Sequence, residues 1–261
     1  MDLSLQSLVG RRRSRRPRPL PGLAAVFALG IAAGPAPAAE LSETILHEFL
    51  GGSDGSEPNA GLIVDGKGAL YGATQTGGGS SIYCGDQGCG TVFKLTPPVA
   101  PATQWRETVL YRFKGGLDGD TPEAGLIFDR KGALYGTTVG GGAPNGGTVF
   151  KLTPPVPPAT KWRETILYSF KGGTDAANPR AGLVFDAKGA LYGTTFVGGR
   201  LSGGTAFKLA PPAPPATKWR ETVLHGFGVR IPVMAIGYSS RRRSPIPVIA
   251  IMAGRRKQGR P

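Results

Sequence analysis

The sequence predicts an all-β chain of tandem four-stranded sheets, and three observations carry that expectation. Glycine and proline are abundant, with 42 Gly and 24 Pro among 261 residues, about twice ordinary usage. They are the two poorest residues for a helix interior, while a hydrophobic fraction of 40% is too high for simple disorder. Short strands joined by tight turns reconcile the two. A long block of sequence also recurs at fixed spacing, and apolar residues inside each copy alternate with the period of a strand.

The first 39 residues read as a leader outside the fold. Arg11, Arg12, Arg13, Arg15, Arg16 and Arg18 precede an apolar run of 14 residues from Leu20 to Ala33. Small residues follow through Ala38 and Ala39, completing the order of basic region, apolar region and Ala-x-Ala cleavage site. Fourteen apolar residues are short for a bilayer span. A cleaved signal peptide over residues 1–39 is therefore expected, with an uncleaved short anchor as the alternative. Arginine pairs leave twin-arginine export open, but no Phe-Leu-Lys-like continuation follows them, so ordinary secretion is favoured.

Residues 40–227 form the repeat region. Trp105-Arg106-Glu107-Thr108-Val109-Leu110-Tyr111 returns 57 residues later at 162–168, and after another 57 at 219–225, where His225 replaces the tyrosine. An earlier partial copy, Glu43-Thr44-Ile45-Leu46-His47, stands 64 residues before its counterpart, because the first copy carries a seven-residue insert around 80–88. The repeats run over about 41–104, 105–161 and 162–218, with the start of a fourth at 219–227.

Each repeat predicts four strands. Residues 124–129 and 133–138 flank the turn Asp129-Arg130-Lys131-Gly132, where the carboxylate can accept from backbone amides and glycine can take positive φ. Residues 147–153 predict a third strand, with Thr148, Phe150 and Leu152 on one face and Val149 and Lys151 on the other. Residues 165–170 predict a fourth, with Ile166, Tyr168 and Phe170 opposite Thr165, Leu167 and Ser169. The proline-rich stretch 154–158 cannot join a ladder and forms an edge loop. Four antiparallel strands at a long period describe one blade of a β-propeller; a β-sandwich or β-solenoid would also accommodate them. About three blades fall short of the 4–8 of a closed ring. An incomplete, open propeller is expected, with bare blade faces and edges that favour self-association.

The string Asp129-x-x-Gly132-x-Leu134-Tyr135-Gly136-Thr137-Thr138, the glycines at 140–142, and Gly147-Thr148-Val149-Phe150-Lys151-Leu152 resemble the GloVer tandem-repeat family over residues 41–227. The resemblance implies an exported bacterial scaffold of propeller-like repeats, often ending in a variable surface-anchoring segment. It implies no agreed activity and no catalytic residues. The chain departs from the pattern in being short and in lacking a recognisable anchor.

The formal net charge of +14 resides in the two ends. Six arginines face Asp2 alone in the leader, and residues 228–261 hold eight basic residues and no acid. Between them, 17 basic residues face 16 acidic ones. The body therefore has no basic face to follow a phosphate backbone, which excludes nucleic acid as a partner. Phe113 and Phe170 lead through Lys-Gly-Gly toward the next Ala-Gly-Leu strand, but Phe227 is followed by Gly228-Val229-Arg230-Ile231-Pro232. A frameshift in a GC-rich gene is the leading account of this basic, non-repeat tail. A tail that binds an anionic surface and a disordered linker remnant are the others.

Cys84 and Cys89 sit five apart in the insert. In an exported chain that spacing reads as a disulfide closing a small hairpin, worth about 2 kcal/mol by loop-closure entropy. No further metal ligands cluster beside them, and the spacing is wider than a Cys-x-x-Cys redox pair. His47 and His225 stand in the column filled by Tyr111 and Tyr168, which favours a structural role. Three acidic columns recur with the repeat: Glu43, Glu107, Glu164 and Glu221; Asp65, Asp129 and Asp186; Asp54, Asp118 and Asp175. Recurrence suits turn capping better than the single asymmetric cluster of an enzyme. Asp118-Gly119-Asp120 lacks the further spaced oxygens of a calcium loop, and no Gly-Lys-Ser/Thr follows the glycines at 140–142. Trp105, Trp162 and Trp219 are expected to pack between repeats, with stacking on a sugar as the sharper reading.

No catalytic, cofactor-binding or metal-binding residue is expected from this pattern, and no cofactor. The sequence predicts a noncatalytic exported scaffold or binding module that takes an unknown ligand or partner on its repeat loops, without a membrane span in the mature chain. A fragment of a propeller hydrolase acting on extracellular polymer, and a nonfunctional truncated gene product, are the alternatives. Mass spectrometry of protein recovered from an exported fraction is expected to find a chain starting at Ala39 or Glu40. A cytoplasmic chain retaining Met1 would overturn the leader.

Overall fold

The computed structural model describes residues 43–228; the leader expected over 1–39 and the tail beyond 228 lie outside them. Among the described residues, twelve strands make three four-stranded antiparallel sheets. The first holds β1 (Ile63–Val64), β2 (Leu70–Thr74), β3 (Thr91–Thr96) and β4 (Arg106–Arg112). The second holds β5 (Ile127–Phe128), β6 (Leu134–Thr138), β7 (Thr148–Thr153) and β8 (Arg163–Ser169). The third holds β9 (Val184–Phe185), β10 (Leu191–Thr195), β11 (Thr205–Ala210) and β12 (Arg220–Gly226). Strands in each sheet lie in chain order, so the three sheets are the propeller-type blades that the repeats predict. Residues 219–227 thus supply the last strand of the third blade. Residues 43–50, their earlier copy, join no sheet.

Two local expectations need correction. The first strand of the second blade pairs over Ile127 and Phe128 alone, not over six residues. Just before it, Leu126 is buried in the core shared with the preceding blade, so packing across blades takes the chain out of the ladder. The fourth strand also breaks its alternation. Its register shifts between Val149, opposite Tyr168, and Phe150, opposite Ile166, which leaves Leu167 as an extra bulged residue. Ile166 therefore packs into the first core while Leu167 and Tyr168 pack into the second. The first and third blades carry the same shift.

The turn between the first two strands forms as its residues dictate. Oδ1 of Asp129 accepts from the amides of Lys131 at 2.8 Å and Ala133 at 2.9 Å, and Gly132 turns the chain at φ 80°. Further along β6, Gly136 leaves room for a ring: a Cβ there would lie 2.7 Å from Cζ of Phe150 and 2.9 Å from Leu126. Phe150 is fully buried as a result.

The cores lie between blades. One gathers Val92 of the first blade with Leu126, Leu134, Phe150 and Leu152 of the second. The other gathers Tyr135, Val149 and Phe170 with Leu183, Leu191, Phe207 and Leu209. Aromatic pairs cross each junction edge to face: Phe113 on Phe150 at 5.1 Å and Tyr71 on Phe128 at 5.0 Å, then Phe170 on Phe207 at 5.1 Å and Tyr135 on Phe185 at 5.0 Å. Urea unfolding followed by circular dichroism is expected to show Phe150→Ala losing about 3–5 kcal/mol. Phe227→Ala, at a position 46% exposed, is expected to lose about 1 kcal/mol or less. Equal losses would contradict burial between blades as the source of stability.

Candidate functional site

Three kinds of place could carry function: the hairpin turns, the junctions between blades, and the loops at the opposite end. The hairpin turns are alike in every blade. Beyond its turn amides, Asp129 accepts from the Tyr135 hydroxyl at 3.1 Å and lies 3.6 Å from Nζ of Lys151. That ammonium sits 5.2 Å from the Tyr135 ring centre. Asp65 with Tyr71 and Lys94, and Asp186 with Tyr192 and Lys208, repeat the arrangement. Burial opposes ionisation of Asp129, but the amides of Ala133 and Lys131, the hydroxyl and the ammonium outweigh it and hold the carboxyl below its ordinary value. These carboxylates are committed to holding a turn.

The junctions bring two acidic columns together. Tyr111 donates to Asp118, and Tyr168 donates to both oxygens of Asp175 at 3.0 and 3.1 Å. In the first copy His47 takes the tyrosine's place, 3.4 Å from Asp54. Each Asp also caps its own loop, accepting from Leu50, Lys114 or Lys171. The glutamate of the next fourth strand approaches from the other side, and Oε1 of Glu107, Glu164 and Glu221 is buried without a hydrogen-bond partner. Burial first, then the charge of Asp118, pushes Glu164 up to about 8 against the opposing pull of Lys114. Burial and Asp175 likewise push Glu221 up to about 7, and Glu107 is raised by burial and Asp54. A raised acid beside a second carboxylate is a catalytic pattern; here it occurs three times, with one oxygen of each glutamate buried.

The third place breaks the repeat. Buried threonine pairs fasten the base of the loop between the second and third strands of each blade, Thr74 with Thr91 at 2.8 Å and Thr138 with Thr148 at 2.8 Å. In the first blade this loop carries the insert, where Cys84 and Cys89 are joined by a disulfide with Cα atoms 5.4 Å apart. The insert leans on the second blade: Ser81 donates to the carbonyl of Lys114, and the Thr121 amide donates to that of Cys89 at 3.0 Å. Between them opens a cleft of about 500 Å³, lined by Tyr83, Gln87, Asp120, Thr121 and Asn145 among others. Tyr83 is 64% exposed. The cleft therefore offers amide, hydroxyl and carboxylate groups beside an accessible aromatic ring.

Sequence reasoning found the cysteines of this cleft but missed Tyr83, Gln87, Asp120 and Asn145, which come together from two repeats. The insert was the available clue. Asp118 and Asp120, considered together as a faint calcium loop, diverge: Asp118 turns to Tyr111, while Asp120 lies against Gly140 and lines the cleft. Trp162 packs on the first core and Trp219 on the second. Among the described residues, no helix is long and apolar enough to cross a membrane.

In comparison with known families, the model of the Gloeobacter/Verrucomicrobia repeat matches residues 30–233. No curated protein matches the chain.

The junction glutamates make stability depend on pH. Glu164 titrates near 8 when folded, against an ordinary 4.5. The folded chain thus holds a proton that the unfolded chain releases between those values. The resulting stabilisation is fully present below 4.5 and is lost as pH rises through 8. Glu164→Gln keeps the neutral side chain at every pH. Its melting temperature is expected to exceed that of the unmodified chain at pH 8, with the difference shrinking toward pH 5. An equal difference at both pH values would sink this account.

Proposed function

Since the chain belongs to the Gloeobacter/Verrucomicrobia repeat family, we propose that it is a noncatalytic, exported repeat scaffold whose disulfide-tied cleft binds a ligand. The observation that carries this reading is a departure from repeat symmetry, the insert at residues 80–88, standing beside a polar cleft. Export is supported by the leader-like N terminus and by a disulfide, a bond at home in oxidising compartments. The absence of catalysis is our reading of the recurring carboxylates, which hold turns or stand in the junctions of every repeat.

The lining favours a neutral, polyhydroxylated ligand such as a carbohydrate. Gln87, Thr121 and Asn145 offer hydrogen bonds, and the Tyr83 ring offers an apolar face with a polar tip. A soluble polysaccharide panel, read by titration calorimetry, is expected to yield a binder that leaves with its chain length unchanged. Tyr83→Ala is expected to weaken it about tenfold or more, and Cys84→Ser with Cys89→Ser to weaken it while leaving the β spectrum intact. Binding indifferent to Tyr83, or shortening of the polysaccharide, would overturn the proposal.

A further inference from the structure

The two ends of the blade series are unequal, and their inequality identifies a partner. At each internal junction a phenylalanine after a fourth strand packs on a phenylalanine in the third strand of the next blade, Phe113 on Phe150 and Phe170 on Phe207. Among the described residues no blade precedes the first, yet its Phe93 is also covered. Phe49 packs on it at 4.8 Å, in the same edge-to-face manner. Residues 45–50 thus occupy the seat of a preceding fourth strand without belonging to any sheet.

At the other end, among the described residues, the donor is present and no further blade receives it. Phe227 is 46% exposed, whereas its counterparts Phe113 and Phe170 are 3% and 0% exposed. Leu224 is 54% exposed, whereas Leu110 and Leu167 pack on the two cores. Beside Leu224, His225 and Leu201 lies a recess of about 840 Å³. The matching face of the first blade is half bare: Leu62 is 47% exposed where Leu126 and Leu183 are 2%.

The seated segment and the free strand are near copies. Residues 43–49 and 221–227 agree at five of seven positions; Ile45 and Val223 differ conservatively, and Glu48 stands where β12 has Gly226. The chain's two histidines, His47 and His225, occupy the same column of these two copies, where the internal copies carry Tyr111 and Tyr168. A face that accepts Leu46, His47 and Phe49 therefore fits Leu224, His225 and Phe227 of β12, and β12 arrives with its own sheet behind it.

We propose that a second copy of this chain docks head to tail, the β12 face of one copy taking the place that residues 45–50 hold on the first blade of the next. Those residues are an internal plug, displaced when the copies join. The interface reproduces the two junctions already inside the chain. Because it joins unlike faces, copies add head to tail until the rotation from blade to blade closes a ring.

Sedimentation velocity of the full chain over a range of concentrations tests this. Phe49→Ala removes the plug's anchor and is expected to lower the concentration needed for assembly by about tenfold. On that background, Leu62→Arg and Leu224→Arg each block one face and are each expected to give monomers. Mixed in equal amounts they restore one good interface and are expected to give dimers and nothing larger. Both positions are solvent-exposed, and circular dichroism verifies that the blades persist. Assembly no stronger with Phe49→Ala, continued assembly of either blocked variant alone, or a mixture that stays monomeric would each overturn the proposal.

Discussion

Everything in this fold depends on one packing constraint: a phenylalanine in the third strand must lie flat across a glycine in the second. Phe93, Phe150 and Phe207 occupy that position over Gly72, Gly136 and Gly193, where any Cβ would meet the ring at 2.7 Å or less. The ring so placed receives the phenylalanine leaving the previous fourth strand. Strand pairing holds a blade together, but this contact joins one blade to the next. It also explains why the apolar residues form two cores between sheets, as expected for repeats stabilised by their neighbours.

The same packing accounts for the buried glutamates. A fourth strand that brings its apolar side chains to the neighbouring blade brings its glutamate with them, as Glu164 stands two positions before Ile166, which packs on the first core. Each such glutamate meets the aspartate that caps the preceding loop. Two carboxylates in a half-buried junction cannot both ionise cheaply, so burial and the neighbouring charge raise the pKa of each glutamate. The raised pKa of these groups is a by-product of blade stacking.

Much of the architecture was legible in the sequence because the repeat displays it three times. The 57-residue spacing, the Asp-x-x-Gly turn and the alternation of Phe150 and Leu152 against Val149 identify a four-stranded blade and its inward face. The bulge at Leu167 was hidden, since alternation is read along one strand while a bulge is a relation between two. The shortness of β5 was hidden for a related reason: the pull on Leu126 comes from another blade. The cleft was the least legible feature. Tyr83 and Gln87 lie in one repeat, Asp120 and Asn145 in the next, and no local pattern links them.

A repeat scaffold commits its recurring residues to stacking, so specificity has to come from its irregularities. Here there are two. The insert of the first blade places an exposed tyrosine and a disulfide against the loop that enters the second blade, creating a polar cleft there. The ends supply the other irregularity, because the first blade covers its Phe93 with a strand that has no sheet and the third exposes a strand that has one. The two places do not compete. The cleft opens between the first and second blades, at a junction already closed within the chain, whereas docking would engage the outer faces of the first and third. Copies joined end to end would therefore each keep a cleft available, and a weak ligand contact repeated along such an array would gain strength through multiplicity without any new contact.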